Sequence, residues 1–316
     1  MLSSDTTLGI LLISQLCVGL IGNSSLFVSY IYSFFLRPHF KKLIDLVFMH
    51  LTVVNTLTLI FMLIPNIMSC FGVPNFLDDV GCKAVLFVFR VTRGLSICTT
   101  SIVSTFQVIT ITPINSKCAK WLKPKLSTWT FLSLFCSWLI NLSIYAYMIK
   151  MVIAKANCTH AGNGYLHPYC QNRRFGNHNS GSFLSVILVH DLLFVAIMMW
   201  TSLSMLTFLY RHRKRAQHLH SPSLSSLPSP EHKATRSILS LVSCFVFIYW
   251  VNNSIALYGF YTQTKLARLE GINAILTTCY PTICPFLLMK NNKIILKFAS
   301  SSSVLRMTCF QSALHG

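Results

Sequence analysis

Acidic residues are nearly absent: seven Asp and Glu stand among 316 residues, and charged side chains of either sign make up only 10%. A soluble domain carries about 25% charged residues, so this composition does not suit a large water-facing surface. Glycine is sparse as well, 13 residues without a triplet spacing, which excludes a collagen-like chain. Twelve scattered cysteines are too thin for a disulfide-stapled scaffold, and 53% hydrophobic residues exclude a disordered one. No glycine-rich nucleotide loop, zinc-protease motif or serine-nucleophile motif occurs, and the His and Cys residues form no closed metal set. Neither an enzyme nor a cofactor or metal is expected. The 26 Lys and Arg leave a net charge of +19, but these cations are divided among short segments between apolar runs. That distribution belongs to membrane topology, and no nucleic-acid partner is expected.

What is present is a series of seven charge-free runs: residues 6–36, 46–77, 94–116, 126–149, 192–210, 237–264 and 271–289. Each is long enough for a helix to cross a hydrocarbon core about 30 Å thick. The third run extends back toward Cys82 and the fifth toward Gly181, which carries Arg90, Arg93 and Asp191 into or beside the membrane. The expected fold is an all-α membrane protein, a seven-transmembrane-helix bundle with helices near 8–33, 43–70, 82–110, 126–149, 182–210, 236–261 and 270–289. These make one domain over residues 1–289, followed by a short cytoplasmic tail over 290–316.

Counting cations between the helices sets the expected orientation. One side collects 17 of them, among them Lys117, Lys120, Arg211, Arg213, Lys214 and Arg215, whereas the other side has seven. The positive-inside rule then places the N-terminus outside and the C-terminus inside. Met1-Leu2-Ser3-Ser4-Asp5 lacks a basic leader, so the first helix reads as an uncleaved signal anchor. With little chain ahead of that helix, an extracellular ligand must be recognised by the helices and their loops. No internal repeat is evident, which favours a receptor over the alternative, a seven-helix solute or ion conduit.

The outward segment, residues 150–182, contains Asn157-Cys158-Thr159, a glycosylation sequon usable only on the lumenal or outer side. Cys158 and Cys170 lie in the same segment and Cys82 just before the third helix, so a bridge from Cys82 to either would tether the segment over the bundle mouth. Cys170 is favoured because Cys158 sits inside the sequon.

Specific motifs run through the chain. Asp79-Val80-Gly81-Cys82-Lys83, then Arg90-Val91-Thr92-Arg93-Gly94-Leu95-Ser96-Ile97-Cys98-Thr99-Thr100 and Phe106-Gln107-Val108-Ile109-Thr110-Ile111-Thr112-Pro113, resemble the third helix of vomeronasal type-1 receptors. The segment His212-Arg213-Lys214, Gln217-His218-Leu219-His220-Ser221 and Ser229-Pro230-Glu231-His232-Lys233-Ala234-Thr235 resembles that family's connector between helices five and six. Tyr280-Pro281-Thr282-Ile283-Cys284-Pro285-Phe286 resembles its seventh helix. The acidic-Arg-aromatic triplet of the larger rhodopsin-like group is absent, and Phe247-Ile248-Tyr249-Trp250-Val251-Asn252 lacks that group's proline.

The resemblance implies a chemosensory G-protein-coupled receptor for pheromone-like small molecules, in the plasma membrane of vomeronasal sensory neurons and coupled to an inhibitory-class heterotrimeric G protein. It also implies a glycan at Asn157 and a Cys82–Cys170 bridge.

Individual residues carry competing readings. Arg90 and Arg93 lie three apart, close to one helix face, and suit an anionic ligand, a pairing helix or the headgroups. Asp191 needs hydrogen bonds, a proton or a cation; Arg93, Arg90 and His190 are candidates, and a lock between helices is the leading reading, with direct recognition of a cationic ligand second. Tyr280, Pro281 and Pro285 are conformational-switch candidates, since each proline removes a backbone donor and bends its helix. Lys117, Lys120, Arg211, Arg213, Lys214 and Arg215 can face the G protein or associate with anionic membrane lipid. Residues 210–236 read as a loose connector, and the alternation of Lys290, Lys293 and Lys297 with Ile294, Ile295 and Phe298 permits a short interfacial helix.

Overall fold

A computed structural model describes residues 4–36, 39–112, 121–146, 149, 152–154, 168–172, 177–219, 230–262 and 267–290. Seven long helices account for nearly all of them: α1 (Ser4–Leu36), α2 (His39–Cys70), α3 (Asp79–Ile111), α4 (Leu126–Ala146), α5 (Asn177–Leu219), α6 (Pro230–Thr262) and α7 (Ala267–Lys290). Each contains a span long and apolar enough to cross a membrane.

Most helices outrun their apolar stretch. α5 begins at Asn177 and continues to Leu219, and α6 begins at Pro230, so part of the expected connector over 210–236 is helical. The extension has a local cause: Arg211 to Leu219 are mostly good helix formers, and Pro230 in the first turn has no intrahelical donor to lose. Hydropathy marks where a helix leaves hydrocarbon, which is not where it stops.

The ring closes through α1, which packs on α2 and α7, while α7 packs on α2 and α6, and α6 on α5. α3 runs through the middle and touches α2, α4, α5 and α6. Its buried positions are mostly small or polar, Gly94, Ser96, Cys98, Thr99, Thr100 and Ser104 among them. Large apolar side chains face outward instead: Trp200 is 74% exposed, Trp250 70% and Phe247 68%. Such a collar is stable only where the surrounding solvent is hydrocarbon.

Interhelical hydrogen bonds hold the small-residue core. Trp138 Nε1 of α4 donates to His50 Nε2 at 3.0 Å, and the opposite ring nitrogen lies 3.1 Å from Thr99 Oγ1. Because Thr99 commits its own proton to Leu95 O, the satisfied tautomer has His50 Nδ1–H donating to Thr99. One ring thus pins α2, α3 and α4. Nearby, Ser96 Oγ donates to Asn55 Oδ1 at 2.9 Å, and Thr58 Oγ1 donates to Thr92 Oγ1 at 3.0 Å. Gly94 leaves room for α4 against α3: a Cβ there would land on Asn141 Oδ1.

One end of the bundle carries a small antiparallel ladder, β1 (Val152–Ala154) with β2 (Cys170–Asn172), in which Val152 faces Asn172 and Ala154 faces Cys170. Ala154 N–H donates to Asp79 Oδ1 at 2.7 Å, joining the ladder to the first turn of α3. Asp78 caps that turn by accepting from Gly81 N–H at 2.6 Å. Tyr169 OH donates to Val73 O at 2.7 Å and so ties the ladder to the α2–α3 turn. Burial, with a smaller contribution from Cys70, raises the Tyr169 phenol above its ordinary value and keeps it a donor.

Candidate functional site

Cys82 and Cys170 are joined by a disulfide with a Cα–Cα distance of 5.7 Å, closing 88 residues of sequence separation. Both are fully buried, against Leu86, Val152 and Ala154. The bridge therefore lies within a packed layer that seats the ladder on α3.

Farther into the bundle, helical periodicity brings faces of α3, α6 and α7 together beside Thr58 of α2. Arg93, Ser96 and Ile97 of α3 meet Phe245, Tyr249 and Asn252 of α6, with Thr277, Tyr280 and Pro281 of α7 opposite, around a cavity of about 30 Å³. The lining is mixed. Thr277 Oγ1 donates to Asn252 Oδ1 at 3.0 Å, and the Arg93 guanidinium carbon lies 5.9 Å from the Tyr249 ring centroid. That distance permits a cation–π attraction, which gains strength when both groups are desolvated.

Tyr249 also turns toward α5. Its hydroxyl donates to Asp191 Oδ2 at 3.2 Å, while His190 Nδ1 lies 3.0 Å from Asp191 Oδ1. His190 Nε2 is 3.8 Å from Cys98 Sγ, and Asn141 Nδ2 reaches that sulfur from α4 at 3.5 Å. Arg93 and Asp191 thus converge on one tyrosine, and Asp191 also meets the imidazole of its own sequence neighbour. The Tyr249–Asp191 contact is one hydrogen bond between α6 and α5. Arg90, by contrast, lies 5.8 Å from the Phe89 ring centroid, and it is not among the residues lining the cavity.

At the cavity floor, Tyr280 is 3% exposed, its hydroxyl 2.8 Å from Thr100 Oγ1 and its ring edge-on to Phe245 at 4.7 Å. The two prolines of this helix leave carbonyls without a helical donor, since Pro285 cannot bond Pro281 O. Asn23 of α1 supplies that donor, its Nδ2 lying 2.9 Å from Pro281 O. The carbonyl freed by Pro285 is therefore satisfied from a neighbouring helix.

Arg211 is exposed on α5 at the end opposite the disulfide. Arg213, Lys214 and Arg215 follow it on the same helix, where only the backbone is described. Asn157, Cys158, Lys117, Lys120, Pro113 and the tail over 291–316 lie outside the described residues. Tyr249, Asn252 and Thr277 were not singled out as a site from the sequence, although Phe245, Tyr249 and Asn252 have the i, i+4, i+7 spacing of one helix face.

This arrangement of helices and motifs has relatives. The model of the vomeronasal organ pheromone receptor family matches residues 6–301. The chain belongs to the vomeronasal type-1 receptor family. It is 34% identical to vomeronasal type-1 receptor 4 of Homo sapiens over 290 residues, 91% of this chain and 95% of that protein. It is 31% identical to vomeronasal type-1 receptor 3 of Homo sapiens over 304 residues, covering 95% and 96%. The mouse (Mus musculus) vomeronasal type-1 receptor 40 is 31% identical over 307 residues, covering 95% and 96%. These are signalling receptors rather than enzymes, and the chain is a multi-pass plasma-membrane protein. Within this receptor, the Arg93–Tyr249–Asp191 group and Tyr280 lie inside the helix bundle, away from its lipid face.

Proposed function

We propose that this receptor binds a pheromone-like small molecule at the cavity between α3, α6 and α7 and activates a heterotrimeric G protein of the inhibitory class in vomeronasal sensory neurons. The disulfide end faces outward and the basic end inward, consistent with the cation asymmetry. The carrying observation is that three helices contribute both apolar and polar groups, including the Arg93 cation, to one internal cavity. Such mixed lining is the pattern of small-molecule sites.

The cavity size supplies a mechanism. About 30 Å³ holds a water or two, well below the roughly 300–1,000 Å³ of organic-ligand sites. A ligand that enters must hold α6 and α7 away from α3, and it thereby favours the arrangement it binds. Tyr280 connects that displacement to the core: its bond to Thr100 and its contact with Phe245 join α3, α6 and α7 at the cavity floor. Movement there repositions the inner ends of α5 and α6, where Arg213, Lys214 and Arg215 of α5 meet the G protein.

Dose-dependent G-protein activation in cells with confirmed surface expression tests this reading. Arg93→Gln and Asn252→Ala are expected to shift an agonist's half-maximal dose at least about tenfold at equal surface density, the loss of roughly one hydrogen bond to a charged or polar ligand group. Unchanged dose-response curves in both variants would remove the cavity from ligand recognition. Glycosidase-sensitive mobility, lost in Asn157→Gln, is expected if the α4–α5 segment faces the lumen.

A further inference from the structure

A second and larger concavity lies outside the helix bundle, between α3 and α5 near the basic end. It has a volume of about 420 Å³ and is walled by Val108 and Ile111 of α3 and by Trp200, Leu203 and Phe208 of α5, with Arg211 at its outer end. Trp200 is 74% exposed and Leu203 57%, so the groove opens through the apolar collar, toward hydrocarbon.

Its polar lining is chemically muted. Ser204 Oγ donates to Trp200 O at 2.9 Å, Thr207 Oγ1 to Leu203 O at 2.8 Å and Thr112 Oγ1 to Val108 O at 2.7 Å. With those protons committed to their own helices, the wall is apolar until Arg211, whose guanidinium carries the charge at that end.

Length decides among occupants. Trp200 and Arg211 are separated by eleven positions, about 16 Å along a helix at 1.5 Å per residue. That is close to one leaflet of a hydrocarbon core about 30 Å thick. A G protein approaching from water does not reach Trp200 at that depth, and an extended peptide would bring unpaired backbone into lipid. A chain that is apolar for one leaflet and anionic at the surface fits both the walls and the charge.

We propose that this groove is a binding site for one anionic phospholipid of the leaflet at the basic end, with an acyl chain along Leu203 and Trp200 and the headgroup phosphate at Arg211. Bound there, the lipid bridges α3 and α5.

Native mass spectrometry of the full-length receptor, released from mixed phosphatidylserine and phosphatidylcholine nanodiscs, tests the site. The expected result is one retained phosphatidylserine, favoured about fivefold over phosphatidylcholine, as one cation near a membrane surface supports. Arg211→Gln is expected to abolish the preference and Arg211→Lys to keep most of it. Leu203→Trp, which fills the groove without touching the charge, is expected to lower retention of both lipids. Each variant is first checked for monodisperse elution and helical circular dichroism, and Leu203→Trp decides the matter if Arg211→Gln fails that check. Equal retention of the two lipids, an unchanged preference in Arg211→Gln, or undiminished binding in Leu203→Trp would overturn the proposal. Displacement by glycerophosphoserine or inorganic phosphate would also overturn it, by showing a soluble-anion site. A receptor dimer that dissociates on Leu203→Trp, with no lipid retained, would assign the groove to a second copy and overturn it too.

Discussion

Asn23 is expected to be a stability determinant because of a proline 262 positions away in the sequence. Pro285 deprives Pro281 O of its helical donor, and Asn23 Nδ2 replaces it at 2.9 Å while also bonding Gly19 O at 2.8 Å. The side chain is 1% exposed, so no water stands in when it is removed. Interhelical hydrogen bonds in membranes average about 0.6 kcal/mol and reach about 1.7 kcal/mol, while an orphaned buried acceptor costs about 1–3 kcal/mol. Asn23→Ala is therefore expected to cost about 1–2 kcal/mol beyond the volume it deletes. Pro285→Ala restores an N–H that can bond Pro281 O, so the same substitution in that background is expected to cost about 1 kcal/mol less. Pro285 also packs where a Cβ on Gly22 would come within 2.9 Å of its ring, so its own effect on stability is not the readout. The difference between backgrounds is, because the volume term cancels in the cycle. Apparent melting temperatures of the four proteins in one detergent measure it, with an expected coupling of roughly 2–4 °C. An equal fall in both backgrounds would refute the compensation.

Three further outcomes follow from the same contacts. Cys82→Ser or Cys170→Ser is expected to cost about 2–5 kcal/mol and to reduce surface expression by flow cytometry, with the double variant no worse than either single one. Gly94→Ala is expected to destabilise by about 1–3 kcal/mol because the methyl displaces Asn141 Oδ1; Asn141→Ala should relieve much of that cost in a melting series. Tyr249→Phe removes the donor to Asp191 but keeps the ring beside Arg93, so it is expected to lower stability by roughly 1–2 kcal/mol while retaining most agonist potency.

The seven spans were legible because hydrocarbon imposes a length and a composition that a window along the chain detects without tertiary information. Helix ends were less so: the first turns of α5 at Asn177 and of α6 at Pro230 are polar, and polarity does not report helicity. The ladder at Val152–Ala154 is three residues long, too short for an alternation to stand out. Within the site, Arg93 and Asp191 were conspicuous as charges in apolar sequence. Tyr249, which both approach, was not, because an aromatic on a membrane helix serves equally as packing or as an interface anchor. The carbonyl freed by Pro285 can be counted from the sequence, yet only the packing of α1 against α7 shows that Asn23 satisfies it.

Reconstitution of the purified receptor with an inhibitory-class heterotrimeric G protein tests the central claim most directly, by nucleotide exchange on the G protein with and without an agonist found by screening. The account predicts exchange that depends on both agonist and receptor and weakens at least about tenfold in potency with Arg93→Gln. Agonist-independent ion or solute flux through receptor liposomes, with no exchange on any G-protein class, would contradict it and establish a conduit.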